Sequence, residues 1–584
     1  MNFFKTFLSS CLGTVAALFL CLILFIALIA ISSSPESAPI ESGSVLRLRL
    51  DLPLTEIEVE DPLAGVIPGA AEQSAGLLQL VEAIRKAAED DHIEGIYLNT
   101  SSLPAGMAAV EEIREALSGF KAGGKWIIAY ADDYSERAYL LASVADEVFL
   151  NPHGMVEFNG LASEVMFFKR ALDKLEINAQ VFRVGEFKSA VEPFLREDLS
   201  PENRRQITEL LYGLEAGMIS KVSQSRGIDT AQLGQISRNM LVRNAAQAVE
   251  FNLVDSLLYE DQVHDALRKR LGLDKDDRIP FLKYDDFRSS YQTGADGKAN
   301  EIAVIVADGE IMPGKGDAGV VGSSTMAEAF RRARKSEKVK AVVLRINSPG
   351  GSFTASDDMW REITLTAKEK PVIASMSDVA ASGGYYLAMA CDTIVARPGT
   401  ITGSIGVFSV IFDLSGFLGN KLGITSQEVK TGQVGNLTVT RPLTDLEKSI
   451  FQTQTEEVYG IFTRKAAEGR HMREEDLRKV AGGRVWTGDQ AQSHGLVDVL
   501  GGFEEAVRIA AVKAGVVEDY HLDFYPKPKT VLERLVEAGE SQVWSDDPIG
   551  RLAGPEEKVL LQQWRRLQRY SGVQARMPFE FNIE

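Results

Sequence analysis

Cysteine, histidine and positive charge are all scarce in this chain, and each shortage removes a class of function. Of 584 residues three are cysteines, and Cys11 and Cys21 share one apolar stretch. Cys391 is left alone, so no disulfide framework can form in the remainder. Lys and Arg number 63 against 82 Asp and Glu, a formal net charge of -19, which argues against nucleic acid or anionic lipid headgroups as partners. The histidines (His92, His153, His264, His471, His494 and His521) fall outside every glycine-rich turn, so a Ser-His-Asp arrangement lacks support. Gly309-Glu-Ile-Met-Pro-Gly-Lys-Gly316 nearly spells a phosphate-binding loop, but Gly316 stands where Ser or Thr must hold magnesium. No nucleotide, metal or other cofactor is expected.

The length predicts about two to four domains. The 21 residues from Cys11 to Ile31 carry no charge and predict a transmembrane helix, long enough for a hydrocarbon core of about 30 Å. A cleaved leader would have a shorter apolar run, of about 7 to 15 residues, and a small-x-small site. Lys5 precedes the stretch and Glu36 and Glu41 follow it, which puts residues 1–10 in the cytoplasm and the chain after the anchor outside. Residues 32–40 form a Ser/Pro/Ala linker. The polar run Ser289–Lys298 closes a first unit, 41–298, and a second unit spans 299–525. In the tail, 526–584, Val531–Ala538 and Glu556–Tyr570 read as helices. Met577–Ile583 reads as a strand-like segment that packs on its own domain or on a neighbouring subunit.

The two units repeat one pattern. Ile93-Glu-Gly-Ile-Tyr-Leu98 matches Val339-Lys-Ala-Val-Val-Leu344, an offset of 246 residues, and the same offset brings Val144–Val148 onto Ala390–Ile394, Pro152 onto Pro398 and Gly160 onto Gly406. Later the offset drifts to 243, laying Asn252–Leu257 on Gly495–Leu500. Chance rarely holds register over that distance. In the second unit Glu301–Val306, Ala341–Ile346 and Pro371–Ser375 predict strands. Thr325 and Glu328 have capping-box spacing ahead of a helix to about Ser336. Strands alternating with helices predict parallel pairing and an α/β fold, its sheet covered on both faces.

The copies differ where chemistry would sit. Ser382, in Ala380-Ala-Ser-Gly-Gly384, opens a predicted helix, Gly383–Ala390, whose free N–H groups would face a developing oxyanion. Asn347-Ser-Pro-Gly-Gly351 lets a second stretch of backbone approach. Taken singly, both glycine pairs read as ordinary turns. The first copy lacks both, carrying Glu136-Arg-Ala138 and Ser101–Ala105 at the matching places. It carries Lys188 instead, in the half-apolar run Val184–Phe194, and with Gly185 laid on Gly432 that lysine faces Gly435. Lysine replaces histidine as a base if burial lowers its pKa from about 10.4 towards 7. On one strand face Glu186 would hold the charge on Lys188, so the stretch is expected to be non-extended or Glu186 to point elsewhere.

Ala380-Ala-Ser-Gly-Gly-Tyr385, Asn347-Ser-Pro-Gly-Gly351, Thr402-Gly-Ser-Ile-Gly406 and Arg183–Phe194 occur in this order. Together they resemble the long, duplicated form of bacterial signal peptide peptidase A, or protease IV, over nearly the whole chain. The resemblance implies two tandem Clp-protease/crotonase-like domains after an N-terminal transmembrane helix. It also implies a serine-lysine dyad, with Ser382 as nucleophile and Lys188 as general base. Ser404 would orient the lysine amine, and Gly351 with Gly383 would form the oxyanion hole. The implied protein is a membrane-anchored homotetramer, bowl-shaped, at the periplasmic face of the bacterial inner membrane, degrading signal peptides and other apolar peptides. Tyr385 and Tyr386 are expected, from position alone, to line apolar subsites, and Ser377-Asp378 departs from the small residues expected there. Two rival classes fit less well. A crotonase-like acyl-CoA enzyme needs neither an anchor nor a lysine from a duplicated partner, and an inactive membrane scaffold has no use for both dyad residues.

Overall fold

The computed structural model describes residues 40–58, 75–291, 299–316, 319–435, 437–526 and 573–577, with Gly13, Thr14, Ala17 and Leu20 of an N-terminal helix. Among the described residues no helix is long and apolar enough to cross a membrane. The expected span 11–31 lies outside them apart from those four positions, as do the expected helices Val531–Ala538 and Glu556–Tyr570.

Two sheets carry the duplication, each built on six parallel strands. In the first copy the strands lie in the order Ser256–Leu257, Glu147–Leu150, Trp126–Ala131, Ile93–Asn99, Ser44–Leu48, Phe281–Lys283. The second copy repeats that order with Val499–Leu500, Thr393–Ala396, Val372–Ala381, Val339–Ser348, Glu301–Asp308 and His521–Tyr525. The matched aspartates do the same work in each copy. Asp146 and Asp255 accept from the amides of Ile127 and Val148, as Asp392 and Asp498 accept from those of Val372 and Ile394.

Central strands of such a sheet read as unbroken apolar runs because helices cover both faces. In Val339–Ser348, Val342, Leu344 and Ile346 pack into the layer that holds Phe330 and Met359, whereas Ala341 and Val343 pack against Phe503, Val507 and Ala510. Burying each such side chain contributes about 1.5–3 kcal/mol. A one-residue slip would exchange the two faces and drive Arg345 into the apolar layer, which fixes the register. The strand expected at Pro371–Ser375 runs over Val372–Ala381, up to the residue before Ser382. The helix expected to start from a Thr325 capping box starts at Ser323, and Thr325 Oγ1 instead accepts from the Gly316 amide at 3.2 Å.

Polar contacts tie the copies together. Arg345 of the second copy is wholly buried and bonds Glu56 Oε2 at 2.6 Å and Glu112 Oε1 at 2.8 Å, both from the first, as well as Ser375 and Ser377. Asp378 accepts from the amides of Gly106 and Ala109 at the start of helix Met107–Ala122, where the helix dipole favours a carboxylate. Ser377-Asp378 therefore departs from small residues because it holds the first copy.

A third sheet crosses between the copies in the order Val320–Gly322, Glu310–Met312, Gly350–Ser352, Gln574–Arg576, Val407–Asp413, Asn178–Val184. Its last strand belongs to the first copy and runs antiparallel to Val407–Asp413 in unbroken register, from Val184 opposite Val407 to Asn178 opposite Asp413. The C-terminal strand is Gln574–Arg576 and packs on its own chain. Of the expected segment Met577–Ile583, only Met577 is described.

Candidate active site

Strand Val372–Ala381 gives way to helix Gly383–Ala388 through a single residue, Ser382, with φ 54° and ψ -110°. A side chain at positive φ costs of order 1–3 kcal/mol and persists only where its surroundings over-determine it. Here the Ser382 amide donates to Gly403 O at 2.9 Å, and Ser382 O accepts from the Tyr386 amide at 2.8 Å. The sharp corner thrusts the hydroxyl out of the sheet. Tyr385 and Tyr386, expected to line subsites, are core residues instead. Both are fully buried, and their hydroxyls donate to Leu496 O and Asp357 Oδ1. The short helix packs straight onto the sheet, so Tyr386 fills the layer against Phe353 and Phe462.

The lysine arrives from the other copy. After Val184 the chain leaves the third sheet at Gly185, φ 106°, where a Cβ would fall 2.4 Å from Gly482 O. Lys188 follows this turn and precedes a short 3-10 helix, Ser189–Val191. The stretch is thus non-extended and Glu186 is exposed, while Lys188 is fully buried. Gly483 backs onto Lys188 so closely that a Cβ there would stand 2.7 Å from the lysine N, Cα and Cβ. Behind the lysine, Gln206 Nε2 donates to Phe187 O at 3.1 Å and to Ser189 Oγ at 2.9 Å, and Ser189 Oγ donates to Asn203 Oδ1 at 2.9 Å. A buried amide network thereby fixes the lysine's backbone.

These elements bring Lys188 Nζ to 2.8 Å from Ser382 Oγ, 3.0 Å from Ser404 Oγ and 3.1 Å from Ser404 O. Ser382 Oγ also lies 3.4 Å from Gly406 O. Burial pushes the Lys188 pKa well below the ordinary lysine value, and among the described residues no carboxylate pairs with it to oppose the shift. A neutral amine has two N–H donors and one lone pair. In that form Ser404 O and Oγ can take the two donors, which would leave the lone pair for the Ser382 O–H.

Gly350 lies against Gly383, the residue after Ser382, and Gly351 packs on Ile311 of the neighbouring strand. A Cβ on Gly350 would stand 2.6 Å from Gly383 N, and one on Gly351 would stand 2.1 Å from Ile311 O. Only glycine permits that approach, and it leaves two backbone stretches converging on one point. The matching corner of the first copy is filled differently. The buried Glu136 carboxylate accepts from the amides of Asn159 and Gly160 at 2.8 Å each, and burial raises its pKa.

Residues 119–274 and 364–517 match the family model of "Peptidase family S49". "Protease 4" of Salmonella typhi is 38% identical over 476 residues, which cover 80% of this chain and 76% of that protein. The chain belongs to peptidase family S49. The S49 match falls once in each half, in agreement with the repeat. "Serine protease SPPA, chloroplastic" of Arabidopsis thaliana is 38% identical over 448 residues, 75% of this chain and 66% of its own. "Putative signal peptide peptidase SppA" of Enterococcus faecium is 33% identical over 180 residues, 30% of this S49 chain and 52% of its own.

Three features of this candidate site escaped the sequence reading. Gly406 entered it as a repeat marker and as the last residue of Thr402-Gly-Ser-Ile-Gly406, with no role of its own, yet its carbonyl faces the Ser382 hydroxyl. The pair Gly482-Gly483 did not enter it, and nothing in the pair points to Lys188. Ala575 carries no signal at all, and its position follows only from the third sheet.

Proposed function

We propose that this S49 chain is a serine endopeptidase in which Ser382 is the nucleophile and Lys188 the general base. Ser404 orients the lysine amine, and the N–H groups of Gly351 and Gly383 form the oxyanion hole. The observation that carries the reading is the 2.8 Å contact between Ser382 Oγ and a fully buried lysine whose pKa burial has lowered. A lysine held neutral at working pH takes the hydroxyl proton as Oγ attacks the peptide carbonyl carbon. The oxyanion collects charge against the two glycine amides, which are already oriented and need no reorganisation. Collapse breaks the C–N bond, Lys188 returns its proton to the leaving amine, and water then hydrolyses the acyl-enzyme by the same route.

Each copy is assigned to the Clp-protease/crotonase-like class on the common strand order of the two sheets and the glycine-flanked corner at Ser382. The residues 11–31 serve as a single inner-membrane anchor in this reading, with the catalytic part periplasmic and assembled as a homotetramer. Signal peptides and other apolar peptides are the substrates, in line with the name of the Enterococcus faecium relative. A tethered enzyme meets membrane-held peptides at raised effective concentration without any added contact. The test is cleavage of a fluorogenic apolar peptide by the detergent-solubilised chain, by Ser382→Ala and by Lys188→Ala, with circular dichroism as the folding control. Both variants are expected to fold and to lose turnover; near-normal activity in Lys188→Ala would move the base elsewhere.

A further inference from the structure

The strand that leads to Ser382 is irregular just before it. Along its pairing with Val339–Ser348, Ile346 lies opposite Met376 and Ser348 opposite Ala380, so Ser377, Asp378 and Val379 all face the single residue Asn347. Such a bulge interrupts the ladder and bends the strand beyond it, and the backbone groups it frees need other partners. The Asn347 side chain fills the gap. Its Oδ1 accepts from the Val379 amide at 3.3 Å, and its Nδ2 donates to Asp308 Oδ1 at 3.1 Å. These two partners decide which way the amide points, because an N–H needs an acceptor and a carboxylate needs a donor.

Asp308 ends strand Glu301–Asp308 and lies opposite Asn347. Its other oxygen, Oδ2, accepts from the Glu56 amide of the first copy at 3.3 Å. Burial above all, and then the Glu56 carboxylate, push the Asp308 pKa up to about 6 against its two hydrogen bonds and the Arg345 guanidinium. Above that value Asp308 is a carboxylate, which accepts and cannot donate. One relay thus runs from the first copy through Asp308 and Asn347 to Val379. It meets both stretches of backbone assigned above to the oxyanion hole, since Asn347 stands four residues before Gly351 and Val379 four before Gly383. On the first stretch Ser348 Oγ also accepts from the Gly350 amide at 3.2 Å, and Asn347 O accepts from the Gly309 amide at 2.9 Å.

Resting on the Ser382 and Lys188 reading, we propose that Asn347 and Asp308 are positioning residues that set the spacing of the Gly351 and Gly383 amides. An oxyanion hole works only when its donors are aimed in advance, so a shift of one stretch against the other is felt in the transition state more than in substrate binding. Asn347→Asp is nearly isosteric, but it turns the donor towards Asp308 into a second acceptor, and two carboxylates then face each other. Adding Asp308→Asn exchanges the roles. The amide at 308 donates to the carboxylate at 347 and accepts from the Glu56 N–H, while that carboxylate accepts from Val379. All three hydrogen bonds return without a change in net charge.

The test uses the detergent-solubilised full chain at about pH 8, where Asp308 is ionised, with the fluorogenic apolar peptide as substrate and an aldehyde of the same peptide as inhibitor. Ser382 Oγ bonds to the aldehyde carbon, its proton passes to Lys188, and the carbonyl electron pair moves to an oxygen lying in the hole. The inhibition constant does not depend on the fraction of enzyme folded, so it separates misaimed donors from a lost fold. Asn347→Asp is expected to lower kcat about 10- to 100-fold with KM within about 2-fold, and to weaken the aldehyde by a similar factor. The double variant Asn347→Asp with Asp308→Asn is expected to return kcat to within about 3-fold of the unmodified chain. An unchanged inhibition constant in Asn347→Asp, or a double variant no more active than the single one, overturns the proposal. If the unmodified chain has no turnover, or Ser382→Ala keeps it, the Ser382 reading falls and this proposal falls with it.

Discussion

Lys188 Nζ lies 2.8 Å from Ser382 Oγ although 194 residues separate them. The contact depends on the antiparallel strand Asn178–Val184, through which the first copy adds itself to a sheet of the second. Within this chain one copy lends the strand and the other receives it. The duplicate has accordingly kept the parallel sheet, while its own corner holds a buried carboxylate, Glu136, in place of a hydroxyl.

The pH dependence of turnover follows from burial of Lys188. On the proposed reading Lys188 must be neutral to act as base, and desolvation has moved its pKa well below the ordinary lysine value. We expect kcat/KM to rise with pH through one ionisation lying well below about 10.4 and then level off. A profile measured on the fluorogenic peptide that falls with rising pH, or whose acid limb sits at the ordinary lysine value, would exclude Lys188 as the base.

The same burial has a cost in stability. With the folded pKa depressed, the unfolded chain binds more protons at Lys188 than the folded chain does. Stability therefore rises with pH between the depressed value and about 10.4, and the penalty is fully present below the depressed value. Lys188→Met keeps the apolar stem and removes the group that must shed its charge. We expect this variant to lose turnover and to gain thermal stability at neutral pH. Calorimetry on both chains checks it, and a lower Tm in Lys188→Met would show that the lysine contributes more contact than it costs in desolvation.

Strain at the nucleophile can be separated from its chemistry. Ser382→Ala and Ser382→Gly both remove the hydroxyl, and each should lower kcat by about 10⁴-fold or more. Only glycine also relieves φ 54°, so Ser382→Gly should be more stable than Ser382→Ala by about 1–2 kcal/mol. Equal denaturation midpoints would mean that the corner is not strained.

The sequence carried the sheets because their signals are local and repeated. Continuous apolar strands such as Ala341–Ile346 and aspartates at matched offsets need no knowledge of the partner copy. The glycines were legible for a related reason, since close backbone approach admits no other residue. What stayed hidden depends on contacts made at long range. Tyr385 and Tyr386 follow the nucleophile in sequence, but the direction of their helix turns them into the core. Ser377 and Asp378 looked like departures until Arg345 and helix Met107–Ala122 stood opposite them. Thr325 had the spacing of a cap, yet the helix begins two residues earlier.

Gly483 offers the sharpest test of how the lysine is aimed. Gly482 and Gly483 both have positive φ, 69° and 83°, so an alanine at either is strained by about 1 kcal/mol. They differ in what a Cβ would meet. At Gly482 there is open space within 4 Å, whereas at Gly483 the Cβ would stand 2.7 Å from the backbone of Lys188. Backbone cannot swing aside as a side-chain tip can, so Gly483→Ala must displace the lysine itself. A misplacement of about 1 Å in a catalytic group costs roughly 10²-fold. Gly483→Ala should therefore lose about that much in kcat with little change in KM, whereas Gly482→Ala should lose stability and keep most of its turnover. Kinetics and thermal melts on the two variants check this. Equal losses of kcat would mean that loop strain, rather than the position of Lys188, sets the rate.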